Sequence, residues 1–125
     1  MKTITQEDLN NKLELHKKWL NDKKDGVKLC LKGADLTYSI LNGANLRGAD
    51  LRGVDFMDAD LHKADLRGAD LRDADLRNSY LVNADLRDAD LRGAKLRLGN
   101  LVHAYLSDDI FIQIDLRSDN LVINK

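Results

Sequence analysis

Three histidines, one cysteine and a recurring column of aspartates are the residues of this chain whose types suit chemistry. A metal site needs three or four ligands converging at a recognisable spacing, and a nucleophilic site needs a base beside its thiol or hydroxyl. His16, His62 and His103 fall in neither pattern. His62 and His103 are 41 residues apart, but no cysteine or carboxylate trio joins them. All three read as isolated surface histidines. Cys30 has no second cysteine to pair with, and it reads as a packed junction residue, not a reactive thiol. There is no Gly-rich phosphate loop, and the aspartates recur too regularly to be an active-site cluster. The sequence predicts no catalytic residue, no metal and no cofactor.

The elements that carry these residues follow from one spacing. Leucine or phenylalanine occupies every fifth position from Leu31 to Leu121, nineteen units without a slip. Two places before this centre stands alanine in eleven of the nineteen, with Ser39, Ser79 and Gly99 as small substitutes. Asp usually precedes the centre, Arg usually follows it, and Gly, Asp or Asn often comes next. An α-helix turns about 100° per residue, so a period of five scatters the leucines around its axis. A straight strand sends odd-spaced residues to opposite faces. The spacing works if the chain bends once per unit. Alanine and centre, two apart, then point inward together, and the Gly, Asp or Asn supplies the bend. The product is a solenoid around a narrow Leu/Ala core.

The run "GADLRGVDFMDADLHKADLRGADLRDADLR" resembles the A(D/N)LXX signature of the pentapeptide-repeat family. The resemblance implies an all-β solenoid, a right-handed quadrilateral β-helix with four units and twenty residues per coil. Nineteen units would then make about 4.75 coils, roughly 23 Å tall at the spacing of neighbouring strands. Alanine suits its column because a larger residue would push the coil walls apart.

Residues 1–30 differ from residues 31–125, which the resemblance assigns to the β-helix with an atypical last coil. Leu9, Leu13 and Leu20 share a helical stripe with His16, and Trp19 lies beside it. Thr5 and Asp8 have the spacing of a capping pair, and Gly26 is a stop. An N-terminal α-helix is expected to cover the open end of the coil with Leu9, Leu13, Trp19 and Leu20, since solenoid ends expose core. The alternative makes Trp19 and His16 a recognition site.

The net charge of −1 gives no push toward nucleic acid or anionic membrane. No apolar run approaches a membrane span, and "MKTITQEDLN" lacks the apolar stretch of a signal peptide, so cytoplasmic residence is expected. Acidic members of the resembled family that protect DNA gyrase from quinolones mimic DNA, which makes a DNA-mimic regulator the alternative function. Residues 31–125 carry sixteen acidic and thirteen basic residues, a balance of only −3, and alternating Asp and Arg columns neutralise each other.

Sorting the units by twenty places Leu41, Leu61, Leu81, Leu101 and Leu121 on one side. The residues after them are Asn42, His62, Val82, Val102 and Val122, whereas on the other sides Arg or Lys fills ten of fourteen such places. Ile40, Tyr80, Val82, Val102 and Val122 thus form an uncharged stripe, a candidate contact face. The plain alternative is that Val and Tyr suit a pleated exterior. Near the C-terminus, Asp109, Ile114 and Asp119 replace the small inward residue, so the last coil is expected to open or to be capped by its own tail, with Ile110, Ile112, Val122 and Ile123 outward or terminal. These four are candidate contacts of a homodimer. The reading as a whole is a non-enzymatic protein-interaction scaffold with an unknown protein partner, without direct nucleic-acid binding.

Overall fold

The computed structural model describes residues 2–108, 112–115 and 120–123, the side chains of 98, 99 and 112–115 excepted. Its elements are strand β1 (Lys2–Thr3), helix α1 (Gln6–Leu20), strand β2 (Ala34–Asp35), strand β3 (Leu96–Arg97), a 3-10 turn (Leu98–Leu101), and strands β4 (Ile112–Asp115) and β5 (Asn120–Ile123). Between β2 and β3 the chain holds no long strand. It is instead joined to itself by single parallel bridges exactly one twenty-residue step apart, such as Asp35↔Asp55, Ile40↔Asp60, Asn45↔Asp65 and Asp50↔Asp70. Four five-residue units therefore complete one coil.

The unit closes its own hydrogen-bond account. In Leu51–Asp55, the Leu51 N–H donates to Asp70 C=O and the Gly53 N–H to Arg72 C=O, each 2.9 Å, both in the next coil. The Asp55 N–H donates back to Ala34 C=O at 3.0 Å, and the Val54 N–H closes the bend onto Leu51 C=O at 3.2 Å. Only the Arg52 N–H lacks a backbone acceptor, and Asp50 Oδ1 takes it at 3.3 Å. The Asp before each centre thus serves the backbone first, as a buried or half-buried donor requires a partner. Asn45 does the same for Arg47 N–H at 3.3 Å.

The bend sits two residues after each centre. From Gly33 to Gly93 every fifth residue has a left-handed φ of 59–72°, whether Gly, Asp or Asn, or the less suited Tyr38 and Lys63. The centres and the alanines between them fill the interior, with Leu46, Leu51, Phe56, Leu61 and Leu66 fully buried.

The regular coil ends where the run of left-handed bends stops. Leu98 occupies the next left-handed position, and a bulky side chain disfavours it. The chain enters the 3-10 turn there instead. Asn83 N–H then reaches His103 C=O, one residue beyond the carbonyl that the coil rule selects, and register returns at Asp85↔Tyr105. Farther on, β5 runs antiparallel to β3, with Leu96↔Leu121 and Arg97↔Asn120, and β4 pairs antiparallel with β5. This corrects the expected continuation of the units to Leu121. Among the described residues the parallel register ends at Tyr105, and Leu121 and Ile123 are buried as the inner side of a returning strand.

At the other end, Thr5 caps α1 by accepting the Asp8 N–H at 3.1 Å. Glu7 and Asp8 in the first turn and Lys17 and Lys18 in the last suit the helix dipole. Gly26 lies against the backbone of Lys18 and Trp19 so closely that a Cβ there would collide. This N-terminal segment stands in for the missing preceding coil. β1 pairs in parallel with β2, Lys2↔Ala34 and Thr3↔Asp35. The Gln6 side-chain amide both donates to Ile40 C=O and accepts Ile40 N–H, each at 2.9 Å. His16 accepts the Leu29 N–H at Nδ1 and donates from Nε2 to Arg47 C=O, again each at 2.9 Å. Edge groups that would otherwise invite another strand are thereby paired.

Candidate interaction surface

Because Asp and Arg flank an inward centre, both point outward, two residues apart. Six such pairs form two-point ion pairs: Asp50–Arg52, Asp65–Arg67, Asp70–Arg72, Asp75–Arg77, Asp85–Arg87 and Asp90–Arg92. Arg52, Arg67 and Arg72 also approach the Asp of the next coil, at 3.6, 3.7 and 3.7 Å. The Arg hydrogen bonds hold all six carboxyls below the usual aspartate range. These pairs lie on three sides of the coil, stacked as ladders at Asp50/Asp70/Asp90 and Asp65/Asp85 and single at Asp75. The fourth, carrying Leu41, Leu61 and Leu81, has none among the described residues.

On that fourth side Ile40 is 62% and Tyr80 63% exposed, with Val82 and Val102 also exposed. Bridges Ile40↔Asp60 and Asp60↔Tyr80 put Asp60 between the two large side chains. Asp60 takes the His62 N–H at 3.0 Å and has no arginine beside it. Below Tyr80 the surface changes character. The 3-10 turn replaces the bridge, and Asn100 uses its side chain, donating from Nδ2 to Ser79 C=O at 3.0 Å and accepting Arg97 N–H at 2.8 Å. Val122 is exposed on antiparallel β5 opposite Gln113, so it does not continue the column of Val82 and Val102.

Of the four candidate dimer contacts, Ile110 lies outside the described residues and Ile112 is described by its backbone alone. Val122 faces outward. Ile123, expected outward, is buried, because β5 alternates and turns its odd-numbered residues toward the core. In the N-terminal cap, Leu9 is buried and Leu13 packs on the core, Leu20 is half-buried and Trp19 is 39% exposed. His16, expected at the surface, is fully buried and stacked on Trp19, 5.4 Å between ring centres. Its place on an apolar helical stripe was the signal. Gln6 carried no signal at all. Cys30 is exposed, with its thiol 3.6 Å from Asp50 Oδ2. His62 and His103 are not brought together, since the coil of Val82 and Asn83 lies between them. Among the described residues no group of His, Cys, Asp or Glu has the arrangement of a metal site, and no helix is long and apolar enough to cross a membrane.

Coils of four five-residue units, with a Leu/Ala interior and Asp-capped bends, define a β-solenoid repeat protein. The family model for pentapeptide repeats matches residues 30–68 and 69–108, with eight copies. The chain belongs to the pentapeptide-repeat family, whose members form right-handed quadrilateral β-helices. It is similar to the pentapeptide repeat protein Rfr23 of the cyanobacterium Cyanothece 51142, at 27% identity and a TM-score of 0.55, over 65% of this chain and 52% of that one. A pentapeptide repeat protein of the Arabidopsis thaliana thylakoid lumen is similar at 27% identity and a TM-score of 0.56, over 65% of this chain and 56% of that one. A trypsin-treated variant of QnrB1, a plasmid-mediated fluoroquinolone resistance protein, shares the fold at 21% identity and a TM-score of 0.50, over 63% of this chain and 38% of that one. The chain thus spans about half the length, or less, of these structures. No curated protein matches it.

Proposed function

We propose that this protein is a non-enzymatic, rigid interaction scaffold that binds a protein partner through the side carrying Ile40, Tyr80, Val82 and Val102. One observation carries the reading. From Asn45 to Asp90 every residue before a centre is Asp or Asn except Tyr80. At Tyr80 the coil gives up the carboxylate that elsewhere takes the N–H two residues on, and at Val82 it gives up the paired arginine. The result is an exposed apolar pair inside an otherwise charged lattice. The ladders on the other sides argue against DNA mimicry, because each of the six ion-paired carboxylates already faces its own guanidinium. The single cysteine accords with a reducing, cytoplasmic setting.

The same reading makes the protein a homodimer through its C-terminal end, where Val122 is exposed on the closing sheet. Two measurements test the whole. Solution mass at tens of micromolar should give a dimer that Ile112→Lys/Val122→Lys converts to monomer; a monomeric wild type overturns the dimer. Quantitative capture of native cytosolic partners should be lost in Tyr80→Arg/Val82→Arg with unchanged melting temperature. Equal capture by this variant rules the face out. Inhibition or protection of gyrase supercoiling at micromolar protein would instead favour the mimic.

A further inference from the structure

His16 joins α1 to the coil in a way only one protonation state permits. The Leu29 N–H can only donate, so Nδ1 must hold a lone pair, and Arg47 C=O can only accept, so Nε2 must carry the hydrogen. The ring is neutral, has 0% exposure and is stacked on Trp19. Trp19 in turn lies over Gly48, and the Lys28 ammonium sits 5.7 Å from its ring centre. The charged residues on the elements around the ring are Glu7, Asp8, Lys12, Glu14, Lys17 and Lys18 on α1, Lys28 before the first coil, and Arg47 at the corner. Of these, the field of Lys28 reaches the imidazole and opposes a second proton, as burial does more strongly; the bond to Arg47 C=O works the other way.

We propose that His16 is an acid-sensitive latch: a proton at Nδ1 ejects the Leu29 N–H, frees α1 from the end of the first coil, and bares the strand edge at Ile40 and Arg47. A protonated ring presents N–H groups at both nitrogens, so the Leu29 N–H then faces a donor. With α1 goes Gln6, whose amide is the group covering Ile40 N–H and C=O. Leu9, buried on the inner side of α1, is uncovered with it. The bared surface combines unpaired backbone groups with apolar core, which is what another strand recognises.

The sign and size follow from linkage. The released ring protonates near its ordinary 6.5, the latched ring only lower, so the open form gains protons first as pH falls. Opening therefore becomes more frequent between pH 7.5 and 5.0, by up to about thirtyfold. The test is amide hydrogen exchange on the full chain, expressed as protection relative to intrinsic rates. Leu29 should lose protection over that range, by up to about thirtyfold, while Leu51, bonded to Asp70 C=O, keeps its own. Fluorescence of Trp19, the single tryptophan, should change over the same interval. His16→Gln retains one donor and one acceptor, as Gln6 does, and should hold Leu29 protection constant within twofold. Constant Leu29 protection in the wild type overturns the proposal, and so does an unchanged pH response in His16→Gln. Should that variant not fold, the wild-type amide result decides alone.

Discussion

Replacing Asp55 separates what the aspartate column does for the backbone from what it does for charge. Asp55 Oδ1 accepts the Met57 N–H at 2.9 Å, and with methionine two residues on, its own unit offers no guanidinium, Arg77 of the next coil acting on it only through its field. Asp55→Ala leaves that N–H without its protein acceptor, in a half-buried position. A net hydrogen bond of this kind contributes about 1 kcal/mol, which in a domain of this size lowers the melting temperature by about 4 °C. Asp55→Asn keeps an acceptor oxygen at the same reach and should be nearly neutral. Asp70 provides the comparison, since it accepts the Arg72 N–H at 3.3 Å and also pairs with the Arg72 guanidinium at 2.7 Å. The latter contact is half-exposed and screened by solvent. Arg72→Ala should therefore destabilise less than Asp70→Ala, and Asp70→Asn should lie between wild type and Asp70→Ala.

Urea unfolding at pH 7, monitored by circular dichroism, measures this as a shift in midpoint at constant slope. Two results refute the argument: Asp55→Asn as damaging as Asp55→Ala, or Arg72→Ala more damaging than Asp70→Ala. Composition already agrees with the backbone role. All sixteen acidic residues from position 31 onward are aspartate, and the glutamates, Glu7 and Glu14, are both in α1. Charge alone does not explain that choice, whereas the reach of Oδ1 to an N–H two residues away explains nine of them and tolerance of left-handed φ explains Asp58, Asp73 and Asp88.

Ser39 and Ser79 make a matched pair. The buried Ser39 hydroxyl has no partner among the described residues, so Ser39→Ala should raise stability by about 1 kcal/mol in the same urea assay. The Ser79 hydroxyl donates to Leu76 C=O at 2.6 Å, and Ser79→Ala should bring no such gain. Gly26→Ala should lower the melting temperature sharply, because the added methyl meets the Trp19 backbone, which cannot move without disturbing α1. Acid stability should follow the ion-paired aspartates, whose carboxyls are held below the ordinary 3.8 chiefly by arginine hydrogen bonds. The unfolded chain then takes up protons first, so their contribution is complete above 3.8 and is lost as pH falls through the lower folded values. Melting temperatures of His16→Gln should be flat from pH 8 to 5 and fall below about 4; a fall beginning near pH 6 in that variant contradicts this assignment.

The coil was legible because its demands repeat. An inward leucine and alanine two apart, and a bend residue tolerant of left-handed φ, recur often enough to reveal the period. Its end was much less legible. Leu101 and Leu121 keep the five-residue spacing, yet Leu121 pairs antiparallel with Leu96. The informative residue is Leu98, which keeps the count but enters a 3-10 turn where the bend would be. At the N-terminal end the stripe of Leu9, Leu13 and Leu20 disclosed a helix, and nothing in it disclosed that Gln6 and His16 replace peptide groups of a missing coil. A side chain imitating a backbone amide does so once, at one geometry, and leaves no periodic trace.

The same reasoning sharpens the block Ser79–Asn83. Ser79 keeps the small inward place, Leu81 is a buried centre, and Asn83 makes the bend at φ 60°. The folding requirements of the interior are met in full, so the departures are confined to Tyr80 and Val82. At the coil's ends, Cys30, Ile40, Lys95 and Tyr105 also lack the aspartate, but there the neighbouring coil or its substitute differs and the usual rule is relaxed. Tyr80 keeps the regular bonds to the coil before it, Ala59 C=O accepting its N–H at 3.0 Å and Leu61 N–H donating to its C=O at 2.9 Å, and the 3-10 turn lies only on its other side. An aspartate would fit there and would stabilise the unit. Reverting the pair by Tyr80→Asp/Val82→Arg should therefore raise the urea midpoint, by about 1 kcal/mol from the regained N–H bond, while abolishing partner capture. A variant that is more stable and still captures its partner would leave this side of the coil without a function to explain its sequence.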